Sequence, residues 1–136
     1  MATRRGAKPI LDDSFIADVA LTQYQVVIYS GSGATGYEGH VTTPSASGDA
    51  LIAGVVQDDA SASGDVVRVV QIGKSLVIAA AAGSIGDQLH IHDAGGTVIQ
   101  PTSFASGDGY VGHYEEAPTA SGDIVSAYIN ISEMHI

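Results

Sequence analysis

Short apolar runs separated by Gly, Ser, Asp and Pro set the rhythm of this chain. Runs rich in Val, Ile and Tyr fall at Tyr24–Tyr29, Leu51–Gln57, Val66–Ile72, Ser75–Ala80, Gln88–His92, Thr97–Gln100, Tyr110–Glu115 and Ile124–Ile131. Their length, β-branched content and bounding turn residues predict strands. No stretch carries a sustained 3.6-residue apolar period, and the Ala-rich run at Ala79–Gly83 is too short to propagate a helix. Closely spaced strands with no helices between them predict an all-β chain, a small antiparallel β-barrel or sandwich.

Four gaps carry the same tripeptide, Ser-Gly-Asp, at Ser47–Asp49, Ser63–Asp65, Ser106–Asp108 and Ser121–Asp123. The copies fall into two pairs. Residues 46–70 (ASGDALIAGVVQDDASASGDVVRVV) and 105–128 (ASGDGYVGHYEEAPTASGDIVSAY) both read turn, strand, acidic pair, turn, strand. This is a duplicated hairpin unit. Two copies are too few for a solenoid, so the repeat points to a pseudo-symmetric barrel.

The first twenty residues stand outside that pattern. They are basic at Arg4, Arg5 and Lys8 and only patchily apolar, at Ile10, Leu11, Phe15 and Ile16. The expectation is an extended N-terminal arm, residues 1–20, ahead of a single β domain, residues 21–136. Such an arm orders when a partner holds it down, and removing residues 1–18 should leave the domain folded.

Composition narrows the function. The 136 residues, 45% of them hydrophobic, suit one domain. With no cysteine there can be no disulfide framework, cysteine-zinc site or thiol nucleophile. The net charge is −10, and it is unevenly placed: from Pro9 onward fifteen acids face two bases, so the first eight residues carry +3 and the rest of the chain −13. That balance argues against nucleic acid as a partner. No run reaches the length of a membrane span and no signal-peptide core follows Arg5, so no membrane partner is expected and synthesis is placed in the cytoplasm.

Candidate chemistry is sparse. The Ser-Gly-Asp turns could offer oxygen ligands to calcium, but their spacing matches no calcium loop, and turn chemistry explains them. His90 and His92 would share one face of a strand near Asp87 and Asp93, enough to sketch a two-histidine metal site. The simpler reading is an alternating strand with Leu89 and Ile91 inward and the histidines toward solvent or a subunit boundary. His40, His113 and His135 lack ligand spacing. Gly31–Gly36 spells G-x-G-x-x-G without the helix or Rossmann unit that would give it meaning. Glu115 and Glu116 are neighbours on a strand and would point to opposite faces, which opposes a shared acid-base role. No catalytic motif, cofactor or metal site is expected, and the chain does not read as an enzyme.

The order of features, a strand on YQVVIYS, a Gly-rich loop, then LIAGVVQDDASASGDVVRVVQIGKSLVIAAAAGSIGDQL and GYVGHYEEAPTASGDIVSAYINI, resembles the capsid decoration, or cement, proteins of tailed bacteriophages. The family's V-G-V-x-x-x-x-A-x-x-G-x-x-V-x-V, A-x-x-x-x-x-G-D-x-L and G-x-x-x-x-x-A-x-x-G-x-x-V units fall on Ala53–Val69, Ala80–Leu89 and Gly112–Val125. The resemblance implies a structural protein on the outer surface of the virion. It would bind the major capsid protein of the expanded head, as a homotrimer at three-fold and quasi-three-fold positions, and stabilise the shell against internal DNA pressure. The charge split then makes Arg4, Arg5, Lys8, Ile10, Leu11, Phe15 and Ile16 the expected capsid-binding arm. The alternative is a fibre, tail or surface-adhesion module that binds a host glycan, with Tyr110 and Tyr114 as its exposed aromatic pair.

Overall fold

A computed structural model describes residues 8–30, 39–49 and 51–133. Nine strands and no helix occur among them: β1 (Lys8–Ala17), β2 (Val26–Tyr29), β3 (His40–Thr42), β4 (Ile52–Val56), β5 (Val66–Ile78), β6 (Gln88–Ile91), β7 (Val98–Ile99), β8 (Gly109–Tyr114) and β9 (Ile124–Glu133). The first five pair in the order β1-β3-β2-β4-β5, and β5 returns to β1, which closes a five-strand barrel. All its pairings are antiparallel except the short parallel contact of β1 with β3. The sheet then runs on from β5 through β9, β8, β6 and β7, and a parallel bridge from Val98 to Ala79 brings β7 back to the end of β5. A second ring of five strands is thus built on the other half of the same β5.

That shared strand departs from the sequence pattern, which divides it into Val66–Ile72 and Ser75–Ala80 around Gly73-Lys74. The chain does not turn there. Gly73 is buried with φ of 120°, lies opposite Pro9 on one side and Ile129 on the other, and lets β5 pass from one barrel into the next.

The duplication reaches well beyond the hairpin. In the first barrel Ala17 N–H donates to the Asp65 carbonyl and Gly64 N–H to the Ala17 carbonyl; in the second, Ala79 and Asp123, and Gly122 and Ala79, repeat both bonds, each at 2.8 Å. Leu21 bonded to Ala60 recurs as Gly83 bonded to Pro118, and Tyr24 bonded to Val56 recurs as Gly86 bonded to Tyr114. Tyr24 is the one non-glycine at positive φ among the described residues, at 73°, and its counterpart Gly86 sits at 90°. The register repeats as well: Val26 faces Val55, which faces Val70, while Gln88 faces His113, which faces Tyr128. Gly54 and Gly112 occupy equivalent places at φ of 150° and 156°, and a Cβ on either would run into a carbonyl of the neighbouring strand, Val70 or Tyr128. Only glycine allows that approach.

Matching positions fill the two barrels differently. Phe15, Ala17, Leu21, Val27, Val41, Ala53, Val56, Ala60, Val67 and Val69 form the first core. Their counterparts in the second include Val77 for Phe15, Gly83 for Leu21, Tyr114 for Val56 and Ala127 for Val69. The Tyr114 ring takes the room that Gly83 leaves, for a Cβ on Gly83 would stand 2.9 Å from its Cε2.

The N-terminal segment is extended, as expected, but its described part is not free. Residues 9–16 pair with β5 nearly continuously, Phe15 is 6% exposed and Ala17 is fully buried in the first core. The boundary at residue 20 therefore cuts through the barrel. The sparse apolar pattern misled because Asp12, Asp13 and Ser14 lie on the exposed stretch of β1, where polar residues cost nothing.

Candidate functional site

Each Ser-Gly-Asp carboxylate is engaged by its own loop. Asp49 Oδ2 accepts from Ser45 N–H (3.0 Å) and its hydroxyl (2.7 Å). Asp65 Oδ2 does the same with Ser61 and adds Ala62 N–H. Asp123 repeats the set with Thr119 and Ala120. The recurring motif is therefore Ser/Thr-Ala-Ser-Gly-Asp, in which the Asp carboxylate reaches back to the donors at the start of the loop and closes it. These bonds hold the carboxyls of Asp65 and Asp123 below the usual carboxylate range, backbone donors first. The fourth copy departs: Asp108 Oδ2 accepts from Ala105 N–H at 2.8 Å, and Phe104 stands where the others have Ser or Thr.

Phe104 packs instead on His90, edge to face with centroids 5.7 Å apart, and leans on Tyr110 at 6.2 Å. His90 is consequently buried with no hydrogen bond at Nδ1, whereas His92 is exposed. The expectation that both histidines face solvent or a boundary holds for His92 and fails for His90, because the loop before β8 folds over that strand. Burial lowers the His90 pKa from its ordinary value; His92 acts in the same direction and Asp108 opposes. No group of three His, Cys, Asp or Glu side chains able to hold a metal occurs among the described residues. Gly31–Gly36, Arg4, Arg5 and His135 lie outside those residues.

The acidic pairs serve the hairpins. Asp58 Oδ2 accepts from Arg68 N–H (2.9 Å), and in the same place of the second barrel Glu116 Oε1 accepts from Ser126 N–H (3.1 Å). Glu115 points elsewhere, its Oε1 lying 3.3 Å from Lys74 Nζ without a directed hydrogen bond. The proposed aromatic pair also dissolves. Tyr114 is a core residue whose hydroxyl reaches the Val98 carbonyl at 3.4 Å and whose pKa is pushed up to about 12, chiefly by burial. Only Tyr110 keeps partial exposure.

Of the arm residues, Phe15 faces the chain's own core, while Ile10, Leu11 and Ile16 are exposed on the outer wall of the first barrel. Lys8 enters β1 opposite Lys74. Beside Ile16 on β5 stands Val66, directly across the strand pair and more exposed still. The pattern repeats at the far end of β5, where Ile78 stands across from exposed Ile124. The apolar run Val66–Ile72 gave no signal that Val66 faces outward. On the other side of Ile16, His40 Nδ1 lies 2.6 Å from Asp18 Oδ1. That bond, followed by one to Ser30, holds the Asp18 carboxyl below its usual range.

The outer row Val26, Val55 and Val70 of the first barrel is covered by the second barrel and packs with Ile91 and Ile129. Val26 N–H donates to the Gly96 carbonyl (2.9 Å) and Gly48 N–H to the Ile91 carbonyl (3.0 Å) across this contact. In the equivalent row of the second barrel Gln88 is exposed, while His113 and Tyr128 are half-buried and stacked on each other at 5.7 Å.

No protein-family model matches the chain, and no curated protein matches it. Among solved structures it is similar to the crystal structure of the head fibre gp8.5 N base of bacteriophage phi29. The TM-score is 0.63 at 19% identity, over 93% of this chain and 98% of that one. The two share an all-β barrel fold.

Proposed function

We propose that this chain is a non-enzymatic structural protein of a phage head, seated on the outer capsid surface and bound to the major capsid protein. The observation that carries the reading is the fold, held over nearly the whole length of both chains by the head-fibre base of phi29. Within it, the chain stabilises the expanded shell as a homotrimer at three-fold and quasi-three-fold positions, with no catalytic step, cofactor, nucleic acid or membrane involved. A ligand that binds only the expanded state stabilises that state by mass action, and many copies on one shell multiply a modest contact. The docking face is placed on the exposed aliphatic pair Ile16 and Val66, which face each other across β1 and β5, with exposed Ile10 and Leu11 further along β1. Arg4 and Arg5, which precede β1 in the sequence, add positive charge to this segment.

The nature of the similar structure favours a second reading, in which the chain is the base of a head fibre instead of a cement layer. Copy number separates the two. Purified protein is mixed with expanded cognate heads, the particles are pelleted, and bound chains are counted per major capsid subunit. About one per subunit supports cement; a few per particle supports a fibre base; no co-sedimentation sinks both. An Ile16→Asp/Val66→Asp variant, folded by circular dichroism, is expected to lose binding, and undiminished binding would remove the aliphatic pair from the account.

A further inference from the structure

The contact between the two barrels joins a wall to an end. Val26, Val55 and Val70 on the wall of the first barrel, with Ile52, lie over Ile91 and Ile129 at one end of the second, leaving both isoleucines 0% exposed. Internal duplication means that each barrel carries its own version of both surfaces. The residues that correspond to Ile91 and Ile129 are Tyr29 and Gln71, joined by a 3.1 Å bond from Gln71 Nε2 to the Tyr29 hydroxyl. Among the described residues the corresponding end of the first barrel is less covered: Tyr29 is 41% exposed, and Leu51, whose carbonyl accepts from Tyr29 N–H, is 62% exposed. The corresponding wall of the second barrel is Gln88, which is exposed, with half-buried His113 and Tyr128 beside it.

We propose that copies of this chain dock head to tail, the Gln88/His113/Tyr128 wall of one copy covering the Tyr29/Leu51 end of the next. The contact continues the one already made inside the chain, with side chains changed on both halves. A valine wall meets an isoleucine end internally, whereas a stacked His-Tyr wall meets a Tyr-Leu end between copies. Aromatic and aliphatic groups with polar tips suit a surface that is wet before assembly and covered after it. Because wall and end are different surfaces, every copy offers one of each, so the assembly closes into a ring or grows as a filament according to the rotation per step. Both partners are acidic, so apolar contact holds them together against charge, and added salt strengthens the association. This deepens the oligomeric part of the reading above.

The absence of native cysteine makes the test direct. Leu51→Cys and Gln88→Cys, both at exposed positions, are purified separately, mixed, and treated with a short bismaleimide cross-linker, while sedimentation velocity follows the unmodified full chain over a range of concentration and salt. The expected result is a cross-linked species that joins the two variants and forms only in the mixture, an oligomer that grows with salt, and at least tenfold weaker association in Tyr128→Glu. A chain that stays monomeric with no mixed cross-link overturns the proposal, as does cross-linking of Leu51→Cys with itself. Capsid co-sedimentation keeps the two ideas apart: a monomer that binds heads refutes the self-contact alone, and a head-to-tail oligomer that ignores heads refutes the capsid reading alone.

Discussion

Exchanging the core solutions of the two barrels tests the equivalence between them. Tyr114 is 1% exposed, and its ring fills space that Leu21 occupies in the first barrel. Tyr114→Val alone deletes a buried ring and leaves a void, at a cost of about 3 kcal/mol or more. Gly83→Leu alone pushes a branched side chain toward a ring only 2.9 Å from where its Cβ would lie, at about 1–3 kcal/mol. Gly83 does not sit in the left-handed region, so the new residue adds no backbone strain. The double variant restores the Leu-Val pair of the first barrel and relieves the clash with the ring, so it should fall within about 1.5 kcal/mol of the parent. The two changes therefore couple favourably by about 3 kcal/mol, a value reserved for residues in direct contact. Urea unfolding of all four proteins measures it. Additive costs, with the double variant the least stable, would show that the second barrel is not packed as the image of the first.

Three further outcomes follow from the same geometry. Gly112→Ala drives a Cβ into the Tyr128 carbonyl and should lower the urea midpoint far more than Gly64→Ala, which has a strained φ of 98° but open space around it; equal losses would refute the close-approach argument. For pH, the folded His90 pKa lies below 6.5, so its stabilisation is complete above 6.5 and is lost as pH falls through the folded value. The carboxyls of Asp18, Asp65 and Asp123 lie below 3.8 when folded, so theirs is complete above 3.8 and lost at still lower pH. Urea midpoints against pH should fall in two stages, and His90→Leu should abolish only the first. Finally, deletion of residues 1–18 removes β1 and opens the first barrel, so the urea midpoint should fall sharply; a cooperative, parent-like transition would return β1 to the status of an arm.

The turns and most strands were legible because their chemistry is local. A Ser-Gly-Asp turn needs only its own Asp, a glycine and the donors three and four residues back, and all of these lie in one short window of sequence. Strand positions Ile52–Val56, Gln88–Ile91 and Ile124–Glu133 follow the apolar runs to within two or three residues. Beyond the hairpin the duplication was invisible, because Ala17 with Ala79, Tyr24 with Gly86, and Leu21 with Gly83 share hydrogen-bond roles carried by the backbone, which leave little trace in side-chain identity.

By itself, then, the sequence determined an all-β chain, its punctuation and its repeated hairpin, since period, turn chemistry and β-branching act over a few residues. Tertiary structure alone decided that β1 belongs to the barrel, that β5 runs unbroken past Gly73 to serve two barrels, and that His90 and Tyr114 turn inward while Val66 turns out. Those outcomes depend on which distant strand supplies the missing hydrogen bonds and which side chain fills the facing space. A linear pattern contains neither.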